Sequence, residues 1–261
     1  MRNEAALARS AFAHGVILSY TNSVIQALLD IRTLSFVTVL FCGSFGGGLL
    51  IFGSIQRRFR GITGLGVGAL ASSLGFLLIS FRQYVSDLIS IMLANGLILG
   101  GLAVMYAGLR RFRGRKLLPL PYYLALGFIY AAGFFAFTYL DPNVIIRIVI
   151  ISGLTAPVSL LCGLVLVIDI PRELKTEYVI ASVPFFAYAA YAVFRIFWTV
   201  GGEAMSNFLE AGVVQGLAFV VWIFQILLST FGILWIGQQH ARARARASGI
   251  GACRPAHATS Q

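Results

Sequence analysis

The chain has 261 residues, of which 59% are hydrophobic and 11% charged, and a formal net charge of +11. Its mean hydropathy of +0.87 lies far above that of an ordinary soluble domain, about 45–50% apolar, which excludes a water-soluble globular protein. The charge excess has no separate polar domain to carry it, so it speaks for cytoplasmic anchoring of a membrane protein and against a nucleic-acid partner.

In chain order, residues 1–28 form an N-terminal extension with Arg2, Glu4, Arg9 and His14 around short apolar pieces, without the long apolar h-region of a cleaved signal peptide. A bilayer core about 30 Å thick asks for roughly 20 apolar residues per helix. Seven runs meet that demand: Thr33 to Ile55, Ile62 to Ser80, Leu88 to Leu109, Leu120 to Leu140, Val144 to Val167, Tyr178 to Val200 and Val213 to Ile236. The expected fold is an all-α integral membrane protein, a seven-helix transmembrane domain over residues 29–238. Its connections QRRFRG, FRQYVSD, RRFRGRKLLP, DPN, IDIPRELKTE and GGEAMSNFLEAG are short enough to make neighbouring helices antiparallel. Residues 239–261 read as a basic, disordered tail carrying Arg242, Arg244 and Arg246.

Alternate connections carry unequal charge. Arg57, Arg58 and Arg60, then Arg110, Arg111, Arg113, Arg115 and Lys116, then Arg172, Lys175 and the tail place 14 Lys and Arg on one side and leave 6 on the other. By the positive-inside rule the richer side is cytoplasmic and the N-terminus is outside. The first two clusters are the expected cytoplasmic anchors.

Glycines recur four apart at Gly43 and Gly47, Gly64 and Gly68, and Gly96 and Gly100, a pattern that lets helices approach closely in lipid, within one chain or between two copies. Pro157 and Pro184 fall inside the fifth and sixth spans and each frees a backbone carbonyl, for which Thr155 and Ser182 are the nearby donors. The kinks could serve as pivots or be silent. Asn95, Gln215 and Gln225 read as sources of interhelical hydrogen bonds.

No Asp, Glu, Lys or His occupies the middle of a span, which argues against an ion-coupled pump. Arg147 and Arg195 remain, each about 9 Å of helix from a span end and able to reach the interface by snorkelling. Tyr188, Tyr191, Arg195 and Trp198 share a helical face. They form a candidate ligand-binding cleft for an anionic or aromatic molecule, with Arg147 as a second donor. The alternative is an interfacial aromatic belt with ion pairs to Asp87, Asp141, Glu203 or Glu210. Cys42, Cys162 and Cys253 have no metal-ligand spacing, and no glycine-rich phosphate loop or hydrolase motif occurs. No cofactor, metal or catalytic residue is expected.

The segments LDIRTLSFVTVLFCGSFGGGLLIF from Leu29, GITGLGVGALASSLGFLLIS, LISIMLANGLILGGLAVMYAGLRRFRGR and FRIFW around Arg195 resemble the membrane-spanning sensor region that precedes GGDEF domains in bacterial diguanylate cyclases. The resemblance runs from about Leu29 to the end of the seventh span. It implies a bacterial inner-membrane input module whose last helix leads to a cytoplasmic output that makes cyclic di-GMP. The stretch Gly201-Gly202-Glu203-Ala204-Met205 only mimics the GG(D/E)EF loop, because Ala204 and Met205 replace its second acid and its aromatic. The chain reaches Gln261 without that loop, so the expectation is a sensory module, apparently truncated before the catalytic domain and itself no enzyme, pairing with a second copy or a full-length relative. Its tail reads as a basic end or an out-of-frame translation. The other readings are a small transporter or channel for a neutral or anionic solute, and a scaffold whose arginine tail binds anionic lipid.

Overall fold

The computed structural model describes residues 31–55, 61–170, 174–201 and 213–252. The N-terminal extension, Arg57, Arg58 and Arg60, Arg172, the stretch with Glu203 and Glu210, and residues 253–261 lie outside these. The described residues hold helices and no strand. Seven helices are long and apolar enough to cross a membrane: α1 Ile31–Ile55, α2 Ile62–Ser80, α3 Leu88–Phe112, α4 Leu120–Leu140, α5 Val144–Val167, α6 Lys175–Gly201 and α7 Val213–Ala252. Helix α3 opens with a π-helical stretch, Leu88–Leu93, and α4 closes with another, Ala136–Leu140. Residues inside such spans have no water for their backbone, and an unbroken helix satisfies each N–H and C=O within the segment.

Polar and small residues bring the helices together, as lipid chains give apolar side chains no reason to prefer protein. A Cβ on Gly68 would stand 2.4 Å from the Gly101 carbonyl oxygen, and one on Gly64 would stand 3.1 Å from the Gly108 Cα. Helices α2 and α3 therefore meet backbone to backbone. Of the three glycine pairs, only Gly64 and Gly68 both pack. Gly43 and Gly96 touch Ser73 and Tyr130, whereas Gly47 and Gly100 face open space. Hydroxyls tie α1 to α2, with Ser35 Oγ donating to the Phe76 carbonyl at 2.8 Å and Ser73 Oγ to that of Val39 at 2.9 Å. Ser159 Oγ does the same for α5 and α6 through the Phe185 carbonyl at 2.9 Å.

Pro157 and Pro184 sit inside α5 and α6. The hydroxyls beside them do not serve the carbonyls that the prolines free. Thr155 donates to Ile151 and Ser182 to Val179, each within its own preceding turn.

At the end bearing the arginine-rich connection, the α3–α4 turn grips the end of α5. Arg113 Nη2 donates to the Ile168 and Asp169 carbonyls at 2.9 and 2.7 Å, and its guanidinium lies 4.4 Å from the Tyr178 ring centre. Arg115 pairs with Asp169 at 2.9 Å, and Arg110 donates to the Lys116 carbonyl and the Tyr106 hydroxyl. Cations at a helix C-terminus satisfy its last carbonyls and oppose its dipole. Three of the expected membrane anchors thus also fasten the bundle.

Helix α7 departs from the sequence reading. It does not stop at the end of the span but continues through Ala252, past Ser248, Gly249 and Gly251. The Ala and Arg residues of that stretch are strong helix formers, and each glycine costs only about 1 kcal/mol.

Gly68→Leu forces α2 and α3 apart and is expected to cost at least about 1–3 kcal/mol, read as a lower Tm of the detergent-solubilised protein. Gly100→Leu, facing open space, leaves Tm unchanged.

Candidate functional site

At the end of the bundle opposite the arginine-rich turn, the helices line a partly open cavity of about 80 Å³. Every helix from α2 to α7 contributes. The π-helical opening of α3 supplies Ser90 and Ile91, α4 supplies Phe134, and α7 supplies Ala218, Phe219 and Trp222. On α5 the lining runs from Val144 to Thr155, about 16 Å along the helix axis, so the cavity reaches well into the apolar layer.

Its apolar wall is a cluster of rings. Trp222 meets Phe76 at 5.5 Å and Tyr188 at 5.0 Å, both edge to face, and Phe76 also packs on Phe219 at 5.5 Å. Phe134 is fixed by Tyr130 at 4.6 Å, and the Tyr130 hydroxyl donates to the Met92 carbonyl. That contact docks α4, where the other described side chains are largely exposed.

Three arginines converge on the same space: Arg82, Arg147 and Arg195. Arg195 is 8% exposed and does not snorkel. Its Nε donates to Gln215 Oε1 at 2.6 Å, and Gln215 Nε2 donates to Thr199 Oγ1 at 3.1 Å. Gln215 and Thr199 are themselves buried. Among the described residues no carboxylate pairs with this guanidinium, and its Nη groups meet no acceptor. Arg147 likewise meets none among them. The Asp87 carboxylate acts electrostatically on both Arg82 and Arg147. Burial holds the Arg82 guanidinium below its ordinary pKa, and Asp87 partly offsets that. Two expected alternatives for the arginines, ion pairs to Asp87 or Asp141, do not form. Those to Glu203 and Glu210 lie outside the described residues.

Of the candidate ligand residues, Tyr188, Arg195 and Arg147 line the cavity. Tyr191 turns toward α7, where its hydroxyl donates to the Val214 carbonyl. Trp198 is 55% exposed and packs on Phe194 at 5.8 Å, so it is not part of the site. Helical geometry explains the split. At about 100° per residue, Arg195 falls about 20° from Tyr188, Tyr191 about 60° and Trp198 about 80° away, so the shared face is too wide for one cavity.

Arg82, Asn95, Thr155, Phe219 and Trp222 complete the lining without having been singled out as ligands. Arg82 follows a span and reads as a loop charge, and the others read as packing or hydrogen-bonding residues. No periodicity within one helix shows that six helices aim at one point.

Comparison with protein-family models, with curated proteins and with solved structures finds no match for this chain. The chemistry of the site is therefore read from its own groups. Two guanidiniums whose remaining donors meet no acceptor among the described residues, set in a mostly apolar lining, form a positive, poorly solvated pocket suited to an anion.

If Arg195 is kept for a ligand and not for the fold, its neighbours reveal it. Gln215→Leu leaves a buried Nε without an acceptor and is expected to cost about 1–3 kcal/mol. The double variant Arg195→Met with Gln215→Leu removes both polar partners and returns close to the parent stability. Thermal unfolding in detergent decides; a double variant as unstable as Gln215→Leu would make Arg195 a structural residue.

Proposed function

We propose that the chain is a membrane sensory module in which the cavity is the input and α7 the output rod. The observation that carries this reading is the continuity of α7. It holds Arg195 through Gln215, supplies Phe219 and Trp222 to the cavity wall, and runs unbroken through Ala252. The part of α7 apolar enough to span ends at Gln239, and the 13 residues from there to Ala252 extend the rod by about 20 Å. A change in the cavity has a stiff path to the far side.

The charge bias supports an orientation in which the arginine-rich turn and the α7 extension are cytoplasmic and the cavity opens toward the outside. In that orientation the module belongs to the cytoplasmic membrane of a bacterium. The resemblance to sensor regions of diguanylate cyclases supports cyclic di-GMP synthesis as the process regulated. The chain's own part is binding and transmission, and purified chain given GTP and magnesium is expected to form no cyclic di-GMP.

The transport alternative differs in one respect: a carrier must open the cavity toward both sides. Beneath the cavity the α2–α3 seam has no spare space, with Gly64 against Gly108 and Gly68 against Gly101, which favours a closed-ended sensor.

A reporter diguanylate cyclase joined after Ala252 of the full chain provides the test. Arg195→Met is expected to change its rate of cyclic di-GMP formation severalfold, and a Gly-Gly insertion after Gln239 should abolish that response while leaving the protein in the membrane. An unaltered rate in Arg195→Met would sink the sensory reading, and Arg195-dependent solute uptake by proteoliposomes would replace it with transport.

A further inference from the structure

The cavity also constrains what can enter it. The space that water centres can occupy in it is about 80 Å³, room for roughly five to eight waters at about 10–15 Å³ each on that measure, so it suits a ligand of similarly few heavy atoms and is too small for a nucleotide. Two sets of groups face this small space. Arg195 and Arg147 present N–H donors with no acceptor among the described residues, and a planar guanidinium matches the two oxygens of a carboxylate better than it matches a spherical ion. The same space is lined by apolar side chains, among them the rings of Phe76, Phe134, Phe219 and Trp222.

That two-sided character separates the candidate anions. A phosphate or sulfate carries oxygens all round, and those turned to the aromatic wall would lose their hydration without gaining donors. Chloride would leave the wall bare and use the guanidinium fork poorly. A carboxylate on a short carbon chain satisfies both sides, with its oxygens on the arginines and its methyl or methylene groups against the rings. Asp87 near Arg82 and Arg147 lowers the net positive charge of the mouth, which favours a monoanion over a dianion.

We infer that the cavity binds a short-chain aliphatic monocarboxylate, its carboxylate held by Arg195 and its carbon chain packed against Phe219 and Trp222, with Arg147 adding positive charge to the same lining. This rests on reading the cavity as the sensory input. Trp222 borders the space directly, so its fluorescence reports occupancy, while Trp198 and Trp235 are exposed and give a background.

The test titrates the purified full chain, in nanodiscs of zwitterionic phosphatidylcholine, with sodium propionate and sodium butyrate. Propionamide, sodium chloride at matched ionic strength and sodium phosphate serve as comparisons. Expected are a saturable tryptophan signal and a rise in Tm with the two acids alone. Arg195→Met and Arg147→Gln should each weaken binding by about tenfold or more, the scale of one lost charge-assisted contact. Both variants must retain a cooperative unfolding transition, and Arg147, only half-buried, is the safer of the two for folding. Equal binding of propionamide, an equal effect of chloride, tighter binding of phosphate, or no saturable signal with either acid would each overturn the inference. The reporter fusion keeps the two claims apart. Acid binding with an unresponsive reporter retains the site and removes the sensor, whereas a reporter that responds to Arg195→Met without any acid binding retains the sensor and removes this ligand.

Discussion

A guanidinium buried among apolar helices and held by a neutral amide is the constraint around which the bundle is arranged. A charge taken out of water costs several kcal/mol even after the protein relaxes. The chain does not offset this for Arg195 with an ion pair among the described residues. It supplies Gln215 instead, which is in turn fixed by Thr199. The amide satisfies Nε and locks the orientation of the planar group while leaving its charge uncompensated. A carboxylate at position 215 would have neutralised that charge and closed the site. An uncharged holder leaves the Nη donors of Arg195 available to an anion, as the proposed function requires.

The rest of the packing serves to keep this one region open. Where glycine meets glycine, as between α2 and α3, backbones touch and no space remains. The close approach continues to the cavity end, where a Cβ on Gly75 would stand 2.6 Å from the Ala94 carbonyl oxygen. The cavity therefore lies beside this seam, where Phe76, Ile79, Ile91 and Ile98 of α2 and α3 face the other helices that line it. Arg113 and Arg115 fasten the end away from the cavity by capping α5. The π-helical stretches of α3 and α4 lie at the open end, and such local widening of a helix is frequent where function displaces regular packing.

Much of the fold is legible in the sequence because the bilayer imposes a length. Five of the seven spans, those from Ile62, Leu88, Leu120, Val144 and Val213, have the same first residue in sequence and structure, and the first and sixth begin two and three residues earlier in the structure. The end of α7 is not legible in this way, since beyond the membrane its persistence depends on the propensities of Ala and Arg outweighing glycine. The site is legible only in part. Arg147, Tyr188 and Arg195 stand out because charge and aromatic rings within a span are unusual. Trp198 is misleading because helical repetition drifts by about 20° over seven residues and further over ten. Arg82 and Trp222 come to the cavity through tertiary packing, and nothing in their local sequence distinguishes them from an interfacial charge and a core ring.

Occupancy can alter the output only if a ligand binds two arrangements of the bundle unequally. The proposed contacts would supply such a difference. An anion on the Nη groups of Arg195 competes for the same planar cation that Gln215 orients, and the ligand's carbon chain presses on Phe219 and Trp222 of the same helix. Both contacts act on α7 and both act near its cavity end. To move the module from mostly one state to mostly the other takes a difference of about 5.5 kcal/mol between the states. One ligand with few atoms can supply that only if its charge is used fully, because a short carbon chain buries too little surface. In the proposed sensor the guanidinium would therefore do more than select an anion. Its charge contact bears on the pairing of Arg195 on α6 with Gln215 on α7, the link through which binding would reach the output helix.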